Sequence, residues 1–152
     1  MKVITCADDA VAAVGQLLGV GEWKVLDQQR INAFADVTED RQWIHVDSVR
    51  AATDSPYGGT VAHGFLTLSL LPKLSKDTFR VTGARMGINY GLNRVRFLSA
   101  VRAGDRIRVR SELLSANRID DRTVNLTVRH TVEVEGSETP AAVADLIARY
   151  VF

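Results

Sequence analysis

The chain has 152 residues, 46% hydrophobic and 24% charged, a balance that excludes a disordered or fibrous protein. Its 19 basic and 18 acidic residues leave a formal charge of +1, which argues against a dedicated nucleic-acid binder. The single cysteine, Cys6, can close no intrachain disulfide and fits a reducing, cytoplasmic setting. The start lacks the apolar core of a signal peptide, and the longest uncharged stretch, Ser55 to Pro72, is too short and too interrupted for a membrane span. One soluble domain over residues 1–152 is expected.

Asp8 and Asp9 can cap a first helix running to about Leu18, with Val11, Val14, Leu17 and Leu18 at helical spacing and Gly19 and Gly21 to stop it. Glu22 to Leu26 follows as a short strand. Asp27 is placed to cap a second helix, whose apolar stripe is Ile31, Phe34 and Ala35 and which fades near Thr38. A polar loop comes next, then a short helix capped by Asp47 or Ser48 and ending at Ala52, then the turn-rich Ser55-Pro56-Tyr57-Gly58-Gly59. From Gly64 to Leu74 the chain is apolar almost all round, the mark of a helix buried on every side, with Pro72 to kink or end it.

Beyond residue 83 the period changes to two. Met86 to Phe97 reads as a strand interrupted by Gly91. Ile107 and Val109 alternate with Arg106, Arg108 and Arg110, and Val124, Leu126, Val128, Val132 and Val134 alternate with polar neighbours. Asp120-Asp121 and Gly136 mark turns, and Val143 to Phe152 reads as a final strand. The sum is an α+β fold in which an antiparallel sheet wraps against one buried helix.

Asp40 stands five residues before His45. On a continuous helix five residues turn side chains about 140° apart, so the two converge only if the helix breaks between them. The polar run Asp40-Arg41-Gln42 is compatible with such a break. By itself the pair reads more simply as a solvated aspartate beside a histidine packed under Trp43. Gly64, at the entrance of the apolar helix, leaves its N–H unblocked at the positive end of the helix dipole, which suits a developing oxyanion, although close packing accounts for a glycine there as well. His63 fits a structural hydrogen-bonder at the helix start. Arg94 and Arg96 project from one face of a strand, where they could meet a phosphate or simply solvent. His130, in register with Val128 and Val132, fits a core or interface histidine. There is no metal-ligand spacing, P-loop, dinucleotide fingerprint or Gly-x-Ser-x-Gly elbow, and Cys6, near a terminus, is no convincing nucleophile.

Taken in order and spacing, Asp40…His45, Ala62-His63-Gly64-Phe65-Leu66, and Val95-Arg96-Phe97 followed by Val101-Arg102-Ala103-Gly104-Asp105 resemble the MaoC-like, (R)-specific enoyl-CoA hydratase family over roughly residues 20–150. The version Gln42-Trp43-Ile44-His45-Val46-Asp47 with Ile88-Asn89-Tyr90-Gly91 is similar to its nodulation-protein-N-like branch. The resemblance implies a hot-dog fold, a strongly curved antiparallel sheet around a central helix, and a homodimer joined edge to edge. It implies Asp40 and His45 as a hydratase dyad and the Gly64 N–H as part of an oxyanion site. Substrate contacts are implied among Gln42, Trp43, His63, Asn89, Tyr90, Arg94 and Arg96. The implied partner is acyl-CoA or an acyl-carrier protein, with no metal, cofactor, nucleic acid or membrane. Two departures stand out. The family's Gly-Asp-x-Asn-Pro reads Glu39-Asp40-Arg41-Gln42-Trp43, and Pro72 stands where some members carry a serine.

The reaction so implied is reversible addition of water to a trans-2-enoyl-CoA, giving the (R)-3-hydroxyacyl-CoA. One alternative is a hot-dog thioesterase, which would want an acidic base or a nucleophile on the apolar helix, where Phe65 to Leu71 offers only Thr67 and Ser69. Another is a non-catalytic acyl-CoA-binding subunit of a heteromeric dehydratase, which has no need of the Asp40/His45 pair.

Overall fold

The computed structural model describes residues 1–152. The period-two stretches form the long strands β5 (Met86–Phe97), β6 (Arg106–Arg118), β7 (Thr123–Val134) and β8 (Ala142–Val151). In β6 and β7 buried positions alternate with partly exposed ones, most regularly in β7, so that face of the sheet turns to a core, whereas β5 at the edge has no buried residue. The antiparallel order is β2-β6-β7-β8-β5, where β2 is Leu17–Val20, and β3 (Lys24–Val25) adds to the other end of β6. A parallel pair of β1 (Lys2–Ile4) and β4 (Phe79–Val81) stands apart. At the β7–β8 turn Gly136 has φ 78°, a left-handed value that favours glycine.

The helices are short: α1 (Ala7–Ala12), α2 (Gln28–Thr38), α3 (Trp43–Val46), α4 (Ser48–Asp54), α5 (Gly64–Ser69) and α6 (Leu71–Leu74). Asp27 and Asp47 cap α2 and α4 as their positions suggested, each carboxylate accepting a backbone N–H at 2.9 Å from Arg30 and Arg50 respectively. Ile31 of α2 and Leu66, Leu71 and Leu74 of α5–α6 pack on Ile107, Val109, Val132 and Ala144 of the sheet, forming the main core. A second core joins Ala10, Ala13 and Leu18 to Leu113, Val124, Leu126 and Val128. No helix is long and apolar enough to cross a membrane.

Four expectations are corrected. The first helix stops at Ala12, six residues before Leu18, because Gly15 takes φ 79° and Leu17–Val20 pairs with β6 instead. Backbone pairing along an open strand outweighs the weak helical spacing of four apolar residues. The strand expected over Glu22–Leu26 shrinks to Lys24–Val25. The polar loop after Thr38 contains a helical turn, α3, made by tertiary contacts rather than propensity. Finally, the apolar helix is not buried all round. Leu66 and Thr67 face the sheet, whereas Phe65 is 70% exposed, since the sheet covers only one side of α5. The helix breaks at Leu70, and Pro72 sits in the first turn of α6, where its missing N–H costs nothing.

Candidate active site

Helix α2 ends where Glu39 enters the left-handed region at φ 61°, just before Asp40, and α3 begins only at Trp43, so no continuous helix joins Asp40 to His45. Asp40 is left exposed at the rim, and α3 then carries His45 inward to 8% exposure. The extended residues 60–62 run beside α3. Val61 N–H donates to the Ile44 carbonyl at 3.0 Å, and the Val61 carbonyl accepts from His45 Nδ1 at 2.7 Å. Because a carbonyl only accepts, Nδ1 carries the proton of a neutral ring and Nε2 is bare. Burial holds the His45 pKa below the usual histidine value. The Val61 carbonyl and the Asp40 charge oppose that shift, while the adjacent His63 adds to it.

His63 follows in the same segment, 3% exposed, with its ring stacked on that of His45 at 3.7 Å between centroids. Its Nε2–H donates to the backbone carbonyl of Asp40 at 2.9 Å. Acceptor and donor atoms of Asp40, His45 and His63 all lie within 4.8 Å of one another. These are residue types that ligate metals. The face-to-face stack, however, sets the in-plane lone pairs of the two rings side by side rather than aiming them at one point.

Gly64 opens α5, and its N–H has no acceptor within the chain. A Cβ at this position would come to 3.0 Å from the half-exposed Phe97 ring, which would have to shift by a few tenths of an ångström. His45 and Gly64 share a cavity of about 300 Å³ with Tyr57, Thr67 and Phe97. Asp40 lines a second opening of about 370 Å³ with Phe34, Phe65, Leu68 and Ser69. Leu68 and Ser69 also border an adjoining apolar cavity of about 340 Å³ that reaches Asn89, Tyr90 and Leu146. The two openings thus adjoin at Leu68 and Ser69 and mark a path along α5 from Asp40 towards strand β5, whereas the cavity of His45 and Gly64 shares no lining residue with either.

The remaining residues singled out from the sequence are placed less uniformly. Asn89 and Tyr90 lie on that path, with the Arg149 guanidinium 4.0 Å over the Tyr90 ring. Gln42 is exposed at the start of α3, and the Trp43 ring is covered by Arg50 at 4.2 Å rather than lying over His45. Arg94 and Arg96 are exposed on β5, and neither shares a cavity with the dyad. Sequence reasoning missed Gln28. Its Nε2 donates to the His45 carbonyl at 2.7 Å, and its Oε1 accepts from Thr60 Oγ1, so it braces α3 against the segment leading to α5. Its partners are 17 and 32 residues away, beyond any local motif. His130 is a satisfied core residue, bonded at 2.9 Å to Ser111 Oγ.

The MaoC-like domain family matches residues 9–135 of the chain. The chain is 48% identical over 151 residues to 3-hydroxyacyl-thioester dehydratase Z of Mycobacterium tuberculosis, a match covering 99% of both proteins. It is 46% identical over 149 residues to nodulation protein N of Rhizobium meliloti, covering 92% of this chain and 88% of that one. Among solved structures, the (R)-hydratase from A. caviae superposes with a TM-score of 0.67 at 23% identity, covering 85% of this chain and 94% of that one.

Proposed function

The chain belongs to the MaoC-like dehydratase family, with the hot-dog fold, and is a hydro-lyase; from that premise we propose that it reversibly hydrates a trans-2-enoyl-CoA to the (R)-3-hydroxyacyl-CoA. The observation that carries this reading is that the Asp40 carboxylate and a His45 ring nitrogen lie within 4.8 Å of one another, with His45 also lining the cavity at the helix that Gly64 opens. One water making two hydrogen bonds of about 2.8 Å at a tetrahedral angle spans about 4.6 Å, which suits a water held between the two groups. The water oxygen bonds C3 and one of its protons passes to the dyad, while a proton from the dyad reaches C2, so one water adds across the double bond. Gly64 N–H donates to the thioester oxygen as it gains negative charge. The reaction calls on no metal or cofactor.

The acyl chain would run along the path from Asp40 past Leu68 towards Tyr90, with the thioester at the cavity shared by His45 and Gly64. A second copy of the chain would cover β5, an edge strand that exposes Met86, Ile88, Tyr90 and Leu92 beside the exposed Phe65. A cytoplasmic setting agrees with acyl-CoA as substrate. A thioesterase is disfavoured because Ser69 Oγ, one of the two hydroxyls on α5, donates to the Leu66 carbonyl.

The test follows loss of the enoyl absorbance of crotonyl-CoA and of a longer trans-2-enoyl-CoA, with free thiol measured separately. Absorbance loss without thiol is expected, and it disappears in Asp40→Asn. Thiol release would instead assign a thioesterase. Because burial lowers the His45 pKa, the neutral ring persists below the ordinary histidine value, so the acid limb of kcat/KM is expected below pH 6.5.

A further inference from the structure

His63 is buried between two rings, that of His45 at 3.7 Å and that of Phe34 at 5.0 Å, and it borders none of the cavities around the dyad. Such a residue cannot be the substrate contact that the family resemblance implied. Its polar atoms show a one-sided use. Nε2 donates to the Asp40 carbonyl, whereas Nδ1 is buried with no hydrogen-bond partner. A proton on Nδ1 would be a buried donor without an acceptor, so the geometry favours one neutral tautomer, Nε2–H with bare Nδ1.

The Asp40 carboxylate has no hydrogen-bond partner of its own in the chain, and Asp40 follows a residue in the left-handed region at the end of α2. The bond from His63 is what ties residue 40 to the body of the protein. The same imidazole lies flat against His45, and the next residue in the chain is Gly64.

We propose that His63 is the positioning residue of this site: its Nε2–H fixes the backbone of Asp40 while its ring face fixes the plane of His45. One side chain thereby sets the spacing of both dyad members relative to the Gly64 amide. This rests on the hydratase reading above. It differs from a general packing role because the donor and the ring do separate work. A misplacement of about 1 Å at a reacting group is enough to lower turnover about 100-fold, so a lost anchor at Asp40 is felt in catalysis before stability.

Two substitutions separate the contributions. His63→Phe keeps a ring between His45 and Phe34 but loses the donor. His63→Gln loses the ring but keeps a side-chain N–H within reach of the Asp40 carbonyl. With enoyl-CoA as substrate, His63→Phe is expected to lower kcat about 10- to 100-fold while KM stays within about 3-fold, and His63→Gln to recover part of the loss. Unchanged kcat in His63→Phe, a loss expressed in KM, or equal losses in both variants would overturn the proposal. On the unsubstituted protein, nitrogen NMR reads the tautomers of its three histidines without any turnover. His63 is expected to carry a proton on Nε2. A bare Nε2 refutes the brace even where neither variant folds. If the unsubstituted protein hydrates no enoyl thioester, the functional reading fails, and the tautomer measurement still decides whether His63 anchors Asp40.

Discussion

Strands β6, β7 and β8 pair along most of their lengths, from Ile107↔Val134 to Arg118↔Val124 on one side, with one shift between Leu113 and Ser115, and from Thr123↔Val151 to Val132↔Ala142 on the other. Within that ladder Arg129 grips the buried Asp145 through two bonds of 2.8 and 2.9 Å. The segment from Asp40 to Gly64 has nothing comparable. Its ties to the rest of the chain are chiefly the two bonds of Gln28, to the His45 carbonyl and to Thr60, and the backbone bonds of Thr60 and Ala62 with Ala103 and Val101, while the Val61 and His63 bonds hold the segment to itself. The sheet is therefore redundant, and losing one contact there costs stability but not geometry. The site is sparse, and losing one contact there costs geometry but little stability.

The largest effect is expected at Asp40. Asp40→Asn should lower kcat by about 10²- to 10⁴-fold while changing unfolding free energy by less than about 0.5 kcal/mol, because the exposed carboxylate bonds to nothing in the chain. Parallel kinetic and denaturant measurements check both halves, and a large stability loss would erase the distinction between the two regions. Leu113→Ala is the converse. Leu113 is fully buried in the second core, so its truncation is expected to cost about 2–5 kcal/mol while the folded protein keeps its kcat.

His130 sharpens the comparison through pH. Burial lowers its pKa to about 4, against the weaker opposing pull of Asp145. The folded protein thus keeps His130 neutral where the unfolded chain, titrating near 6.5, already binds a proton. Its contribution is fully present above pH 6.5 and is lost as pH falls towards 4, about 3 kcal/mol in all. Urea unfolding at pH 7, 5.5 and 4 should show this slope, and His130→Gln should flatten it relative to the parent even if it is less stable throughout. A parallel slope in both proteins would place the linkage elsewhere.

The smallest effect belongs to Glu39, whose φ of 61° ends α2. Glu39→Gly removes the left-handed penalty and adds unfolded-state freedom, so a gain of a few tenths to about 1 kcal/mol is expected, with kcat unchanged. A fall in kcat would mean that the Glu39 side chain, and not just its backbone turn, shapes the site.

The contrast between the regions also decided what could be read in advance. The strands over residues 106–118 and 123–134 were legible because a half-buried strand writes its burial into alternate residues. Asp27 and Asp47 were legible as caps because a cap acts within three residues of itself. Asp40 and His45 were visible as a pair that needed a helix break between them, and Arg41 and Gln42 lie outside both α2 and α3. Leu17–Val20 went the other way, because strand pairing with β6 lies nearly a hundred residues off and leaves no local trace.

What the sequence determined by itself is therefore the class of the fold, the positions of its long strands and caps, and a short list of residues able to carry chemistry, since all of these depend on neighbours within a turn or two of chain. Only the tertiary structure decided that the Asp40 carboxylate and a His45 ring nitrogen come within 4.8 Å, that His45 Nδ1 bonds the Val61 carbonyl, and that His63 and Gln28 bond the Asp40 and His45 carbonyls. Those outcomes depend on single hydrogen bonds between residues 16 to 23 positions apart, and a bond of that span is specified by how helices and strands pack, not by any pattern along the chain.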